Sequence, residues 1–323
     1  MLQLGEFGVT RKSVILNKFA VAGPSVNFKW APKAMTAKEQ QEFTVEDLPR
    51  FSPWPARLLG LAEWQQRKKT MTEVTREFDR EKWGNLLDRY RATGGKAAID
   101  VVEAWMLESI APNLCTIGER FELLTASQAL HRHYEVVAQT LHDLLPATSI
   151  VDLGAGFGSA IMRLAVNSLF RGVPMYAAEF TSSGVELMKQ LATSAGISLR
   201  IGHCDLSSES LTDLSVPEGS IVFTCMAACY VPQIEDKFVS AFCEFRPKAV
   251  VHFEPCYEHC DAQTLTGALR RRYIELNDYN RNLVSLLHRH AAAGAIRILK
   301  EVPAVVGVNP LLPISILVWE PSR

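Results

Sequence analysis

Residues 149–168 confine this chain more tightly than any other stretch. Ser149-Ile-Val-Asp-Leu-Gly-Ala-Gly-Phe-Gly-Ser159 opens as a short apolar run ending near Asp152. It then crosses glycines at 154, 156 and 158 and passes into a helical pattern over Ala160–Ser168. Strand, loop and helix in that order begin a parallel βαβ crossover, so the rest of the chain must supply further strands and covering helices. Glycine suits the loop because a side chain would stop a ligand from lying on its backbone, and because the turn favours positive φ. The start of the helix adds free N–H groups beside the same space.

From Ser149 onward short apolar runs alternate with amphipathic segments, the rhythm of a parallel sheet with crossover helices. The strand candidates are Ser149–Leu153, Pro174–Glu179, Leu199–His203, Ser220–Thr224 and Ala249–Glu254. Each is apolar enough for burial on both faces. A capping box of Ser183 and Glu186 starts one helix, and another runs from about Pro232. After Glu254 come a polar loop, a long helical pattern to about His290, and two further strands, Ala295–Pro303 and Ile314–Trp319, as an antiparallel finish. Val308-Asn-Pro-Leu-Leu-Pro313 holds two prolines and reads as their connection.

The first 145 residues read as mainly helical, with patterns near Thr36–Asp47, Thr72–Tyr90, Ala97–Ile110 and Ala126–Leu145. Five of the six tryptophans (Trp30, Trp54, Trp64, Trp83 and Trp105) lie here as apolar anchors that need a surface to pack on. The division is therefore 1–145, a helical region acting as lid, substrate contact or dimer contact, and 146–323, an α/β domain. A chain of 323 residues carries one core domain plus such an addition. A formal net charge of -1 provides no global basic field for phosphate backbones, which disfavours nucleic acid as a partner. Seven cysteines, an odd and scattered set, fit a reducing compartment, and Val14–Ala22 is too short and interrupted for a signal or membrane span. The expectation is a cytoplasmic protein with no membrane partner.

The G-x-G-x-G spacing preceded by Val151-Asp152-Leu153 resembles motif I of the class I S-adenosylmethionine (SAM) dependent methyltransferases. A dinucleotide fingerprint would place its third glycine one residue later, where Ser159 stands. Further residues carry the resemblance: Glu179 with Phe180 after the second strand, Asp205 with Leu206 after the third, and Thr224-Cys-Met-Ala-Ala-Cys229 after the fourth. It covers roughly residues 148–320. It implies a seven-stranded, mostly parallel sheet with helices on both faces and a C-terminal antiparallel hairpin. It also implies that Asp152, Gly154, Ala155, Gly156 and Gly158 approach the methionyl part of SAM. Glu179 is then implied for the ribose hydroxyls, Asp205 and Leu206 for the adenine, and Met226 and Ala227 for the adenine and sulfonium face. Related enzymes often recruit an N-terminal residue to the cofactor carboxylate, a role for which Arg120 or Arg132 stands available.

Methyl transfer needs in-line attack, so such an enzyme mainly positions an acceptor. The expected acceptor loop is His252-Phe-Glu-Pro-Cys-Tyr-Glu-His-Cys260 after strand five, with Glu254 first and Tyr257, Glu258 and His259 beside it as catalytic candidates. His252 reads as a core histidine. Glu254 and Glu258, if both faced the pocket, would favour a cationic acceptor. Glu275-Leu-Asn-Asp-Tyr-Asn-Arg-Asn282 reads as a solvated helix face. Cys225-x3-Cys229 lacks the third cysteine of a radical SAM cluster, and Cys256, Cys260, His252 and His259 fit no common zinc spacing, so no metal is expected. The expected activity is methyl transfer to an N or O atom of a small molecule, amino acid or peptide. The rivals are a nicotinamide-dependent oxidoreductase and a SAM-binding protein without turnover.

Overall fold

The computed structural model describes residues 42–64, 68–107, 111–208 and 210–322. The stretch Val14–Ala22, Trp30 and most of the pattern at Thr36–Asp47 lie outside them. Short helices α1 (Leu48–Phe51), α2 (Trp54–Leu58) and α3 (Met71–Thr75) come first, and α3 runs directly into a π-helical turn, Arg76–Lys82. Then follow α4 (Trp83–Ala92), α5 (Ile99–Leu107), strands β1 (Asn113–Ile117) and β2 (Arg120–Leu124), and α6 (Ala126–His142). The remainder alternates: β3 (Ile150–Leu153), α7 (Ser159–Val166), β4 (Met175–Glu179), α8 (Ser182–Ser194), β5 (Leu199–His203), β6 (Ile221–Cys225), α9 (Asp236–Glu244) and β7 (Ala249–Glu254). Helices α10 (Leu265–Leu276) and α11 (Leu283–Ala292) lead to the closing hairpin β8 (Ile296–Gly307) and β9 (Ile314–Pro321).

All of these strands join one nine-stranded sheet in the order β2-β1-β8-β9-β7-β6-β3-β4-β5. β5, β4, β3, β6 and β7 run parallel, and β9, β8, β1 and β2 continue antiparallel. Seven of them, β8 through β5, form the mostly parallel sheet with antiparallel finish expected from the sequence. The other two come from Asn113–Leu124, inside the region expected to be helical. Gly118 at φ +60° and Glu119 make the two-residue turn between strands paired from Ile117↔Arg120 outward, a connection typical of tight hairpins.

Period-two alternation splits the sheet's side chains between two layers. Ile150, Ala177, Phe223 and Val251 pack under α4 to α8, whereas Val151, Ala178, Val222 and Trp319 pack under α9 and α11. Two local expectations shift. The cap of α8 is Thr181, not Ser183: its extended backbone lets the hydroxyl accept the Gly184 N–H. The long helix breaks after Leu276, because Asp278 takes φ +52° and the Asn280 side chain accepts the N–H groups of Asn282 and Leu283. That stretch is a buried corner rather than a solvated face, with Asn277 and Asn280 both buried.

Inside the second layer the Trp319 indole donates to His252 Nε2 at 3.1 Å, which leaves the imidazole proton on Nδ1, 3.0 Å from Thr224 Oγ1. Burial pulls the His252 imidazole down to about 3, and that of His133 down to about 4. Below pH ~6.5 the unfolded chain protonates both rings while the folded protein does not, so the unfolded state gains as pH falls through this window. Each ring contributes about 1.4 kcal/mol of lost stability per pH unit until its folded value is reached. Urea titrations between pH 6.5 and 4.5 are expected to show this slope, and His252→Gln to reduce it; an unchanged slope in the variant would refute the assignment.

Candidate functional site

The sheet order reverses direction between β3 and β6, and open α/β sheets form their crevice at such a point, beyond the carboxyl ends of the strands. The crevice lies there, with about 650 Å3 of empty space when its open mouth is included. Its floor is backbone. Gly154 stands at φ +80°, and a Cβ on it would fall 2.4 Å from the Ala227 Cβ, so only glycine lets the loops after β3 and β6 touch. Gly156 lies under Trp83, whereas Gly158 faces away from the crevice: a Cβ there would meet the Met188 side chain of α8 at 2.6 Å. The third glycine therefore serves helix packing.

Glu179, at the end of β4, is 6% exposed and lines the crevice. Its Oε2 accepts the Gly156 N–H at 2.9 Å, and its Oε1 accepts the Thr181 N–H at 3.1 Å and hydroxyl at 2.8 Å. Burial pushes this carboxyl up, against the pull of those bonds. Phe180, Asp205, Leu206, Met226 and Ala227 line the same space. Asp205 accepts the N–H and hydroxyl of Ser207 at 2.9 and 2.7 Å. Asp152 lies just beneath, 1% exposed, and its Oδ1 has no hydrogen-bond partner. Burial first, and then the carboxylates of Glu179 and Glu254, push its carboxyl well above the usual range.

Glu254 is placed differently from its expectation. It is fully buried, and its carboxylate accepts the N–H groups of Ala227, Ala228 and Cys229 at 3.0 to 3.1 Å. It thus fixes the turn that carries Met226, at φ +52°, and Ala227 into the crevice. The other three residues expected to be catalytic also have structural partners. Tyr257 donates to Glu275, Glu258 accepts the Val284 and Ser285 N–H groups at the start of α11, and His259 bridges Ser315 and Glu301. None of the four lines the crevice. Arg120 sits on the outermost strand, at the sheet edge opposite β4 and β5, with its side chain 71% exposed near Glu122. Arg132 is likewise exposed and pairs with Glu135. Ala155 contributes a backbone bond to Ala178 rather than lining the space. Among the described residues no three His, Cys, Asp or Glu side chains are placed to share a metal ion.

The outer wall was not foreseen. Val74, Phe78 and Trp83, from the strap formed by α3, the π-helical turn and the start of α4, face Tyr230 and Val231 across the crevice mouth. Phe78 meets Tyr230 edge-on at 4.6 Å, and Trp83 meets Phe157 at 5.3 Å. Asp79 fastens the strap to α8, accepting the Ser183 N–H at 2.8 Å on its side chain and the Ser183 hydroxyl at 2.7 Å on its carbonyl. The wide turn makes this reach feasible: a Cβ at Gly84 would lie 2.6 Å from the Asp79 carbonyl oxygen. No sequence signal marks a π-helical turn, although the tryptophan itself announced a need for packing. At the start of α7, the Ser159 and Tyr134 hydroxyls and the Arg163 guanidinium converge on the buried carboxylate of Glu103.

No protein-family model matches the chain, and no curated protein does. Solved structures of methyltransferases are similar to it. Magnesium protoporphyrin IX methyltransferase from Synechocystis PCC 6803 with bound SAH has 14% identity and a TM-score of 0.44, over 60% of this chain and 84% of that one. Geranyl diphosphate C-methyltransferase from Streptomyces coelicolor A3(2), with Mg2+, geranyl diphosphate and S-adenosyl-L-homocysteine, has 14% identity and a TM-score of 0.42, over 61% and 82%. A tRNA (uracil-54, C5)-methyltransferase from Pyrococcus abyssi has 12% identity and a TM-score of 0.35, over 58% and 38%. With TM-scores below 0.5, these likenesses add no weight to the chemistry of the crevice itself.

Proposed function

We propose that the protein is a SAM-dependent methyltransferase of the class I type, with residues 146–323 as its catalytic domain and the region before them supplying the wall over the site. The observation that carries this reading is the floor of the crevice: bare backbone at Gly154 and Gly156, flanked by the Glu179 carboxylate and by the partnerless Asp152 oxygen beneath. These residues fit the group. Glu179 keeps one lone pair, on Oε2, beyond the three bonds it accepts, enough to take a hydroxyl donor from a ribose. Asp152 offers a buried oxygen without a partner beneath the floor, and among the described residues no Lys, Arg or His lines the crevice. Leu206, Met226 and Ala227 offer an apolar slot for an adenine, with Asp205 at its end.

When bound, SAM supplies an electrophilic methyl on a sulfonium. The chain's own residues bind and orient: Glu254 sets the turn under the slot, and Phe78, Trp83 and Tyr230 exclude water from the mouth. The acceptor is an N or O nucleophile on a small molecule, amino acid or peptide, entering between the strap and the turn after β6. The dinucleotide alternative meets an obstacle at α7. A diphosphate would seek the helix N-terminus, where the Glu103 carboxylate already lies against Ser159.

Three outcomes test this reading. Calorimetric titration is expected to detect binding of SAM and none of NADH; the reverse would end the proposal. Glu179→Gln removes charge-assisted bonds of about 1.5–3 kcal/mol, so SAM affinity is expected to fall roughly ten- to hundredfold without loss of the folded state by circular dichroism. Glu254→Gln, which sets an amide against three N–H donors, is expected to raise KM for SAM and leave KM for the acceptor unchanged. An effect confined to the acceptor would return Glu254 to the acceptor site.

A further inference from the structure

Lys69 begins the strap, and its ammonium lies out of water with the side chain 4% exposed. The Glu77 Oε2 stands 2.5 Å from Nζ, and the rings of Tyr230 and Tyr279 lie 5.3 and 5.5 Å away. One carboxylate and two aromatic faces make the surroundings by which proteins recognise an alkylammonium. Tyr230 is common to this cage and to the crevice, and Phe78, which follows Glu77, packs edge-on against Tyr230 from the crevice side. The cage and the proposed methyl-donor pocket therefore share a wall.

Fastening the strap does not require a buried ion pair. Asp79 and Ser183 already pin it, Val74, Phe78 and Trp83 pack it down, and the Lys69 backbone N–H bonds Asp278 at 3.0 Å. Buried pairs are often no more stabilising than apolar side chains of equal volume, because both ions lose their hydration. Ionisable groups held this way beside a pocket are commoner at functional sites than elsewhere. Lys82, on the solvent side, pairs with the second Glu77 oxygen at 2.8 Å. Burial tends to raise the Glu77 carboxyl, but Lys82 and Lys69 outweigh it and hold it below the usual range. Lys82 thus gives the carboxylate a cationic partner that does not depend on Lys69.

We propose that Glu77, Tyr230 and Tyr279 form the acceptor's ammonium subsite, that Lys69 is its internal occupant, and that the acceptor class is molecules bearing an ammonium on an alkyl stem. This deepens the methyltransferase reading and rests on it for the word acceptor; the cage as a binding site stands apart. The amine preference once attached to Glu254 and Glu258 moves here, to residues with the geometry for it.

The test is calorimetric titration of n-butylammonium, and of 1-butanol as its uncharged counterpart, into the full chain, Lys69→Ala and Lys69→Ala/Tyr279→Leu. Removing the internal competitor is expected to tighten n-butylammonium binding at least tenfold, to leave 1-butanol unchanged, and to lose that gain when Tyr279 is replaced. Equal binding by the full chain and Lys69→Ala, or an equal gain for 1-butanol, overturns the proposal. Should Lys69→Ala not fold, amide hydrogen exchange of residues 70–83 in the unaltered chain decides. It is expected to quicken with n-butylammonium and not with 1-butanol, and no difference between the two overturns the proposal. SAM titrated separately keeps the readings apart: ammonium binding without SAM binding defeats the methyltransferase assignment alone.

Discussion

The contact between Gly154 and Ala227 sets the scale of the whole site. Two loops that follow different strands approach so closely that a single methyl group would fill the gap. Backbone at such a distance needs something to hold it, and Glu254 does so by gathering three N–H groups of the opposing turn onto one buried carboxylate. The buried network beneath extends that support, since His252 links Thr224 on β6 to Trp319 on β9. The ends of β6, β7 and β9 are thereby fixed relative to one another beneath the crevice.

Against this fixed floor stands a wall built by other means. The strap has little sheet or core of its own and depends on one π-helical turn to aim Phe78 inward and Asp79 toward α8. A wide turn sacrifices regular helix bonding, and such turns recur where side chains must be re-aimed at functional sites. Floor and wall also differ chemically: carboxylates and bare backbone below, aromatic rings above.

The α/β half was readable in the sequence because buried parallel strands are short apolar runs, and the structure keeps every one of them within a residue or so of its expected start. The floor of the crevice was readable for a related reason: glycine spacing and strand-end acids report local backbone needs. The hairpin Asn113–Leu124 is marked in the sequence by Gly118-Glu119 alone, a two-residue turn between strands too short and too polar, with Arg120 and Glu122, to stand out as apolar runs. Glu254 is legible as a strand-end acid, whereas its bonds to the turn after β6 are not. A carboxylate has the same letter in the sequence whether it meets a ligand or three backbone donors, and only the fold of the 227–229 turn distinguishes the two. Tyr230 lies far in sequence from Lys69 and Phe78, so their meeting belongs to tertiary structure alone.

The hairpin has one more effect, on how the sheet ends. β8 is twelve residues long and would be an extended open edge for another chain's strand to pair with. β1 covers part of it, and the border passes to β2, a five-residue strand bearing Arg120 and Glu122. Short, charged borders discourage sheet-to-sheet joining between molecules. Arg120, expected from the sequence to contact a cofactor, thus serves with Glu122 as protection against self-association through the backbone.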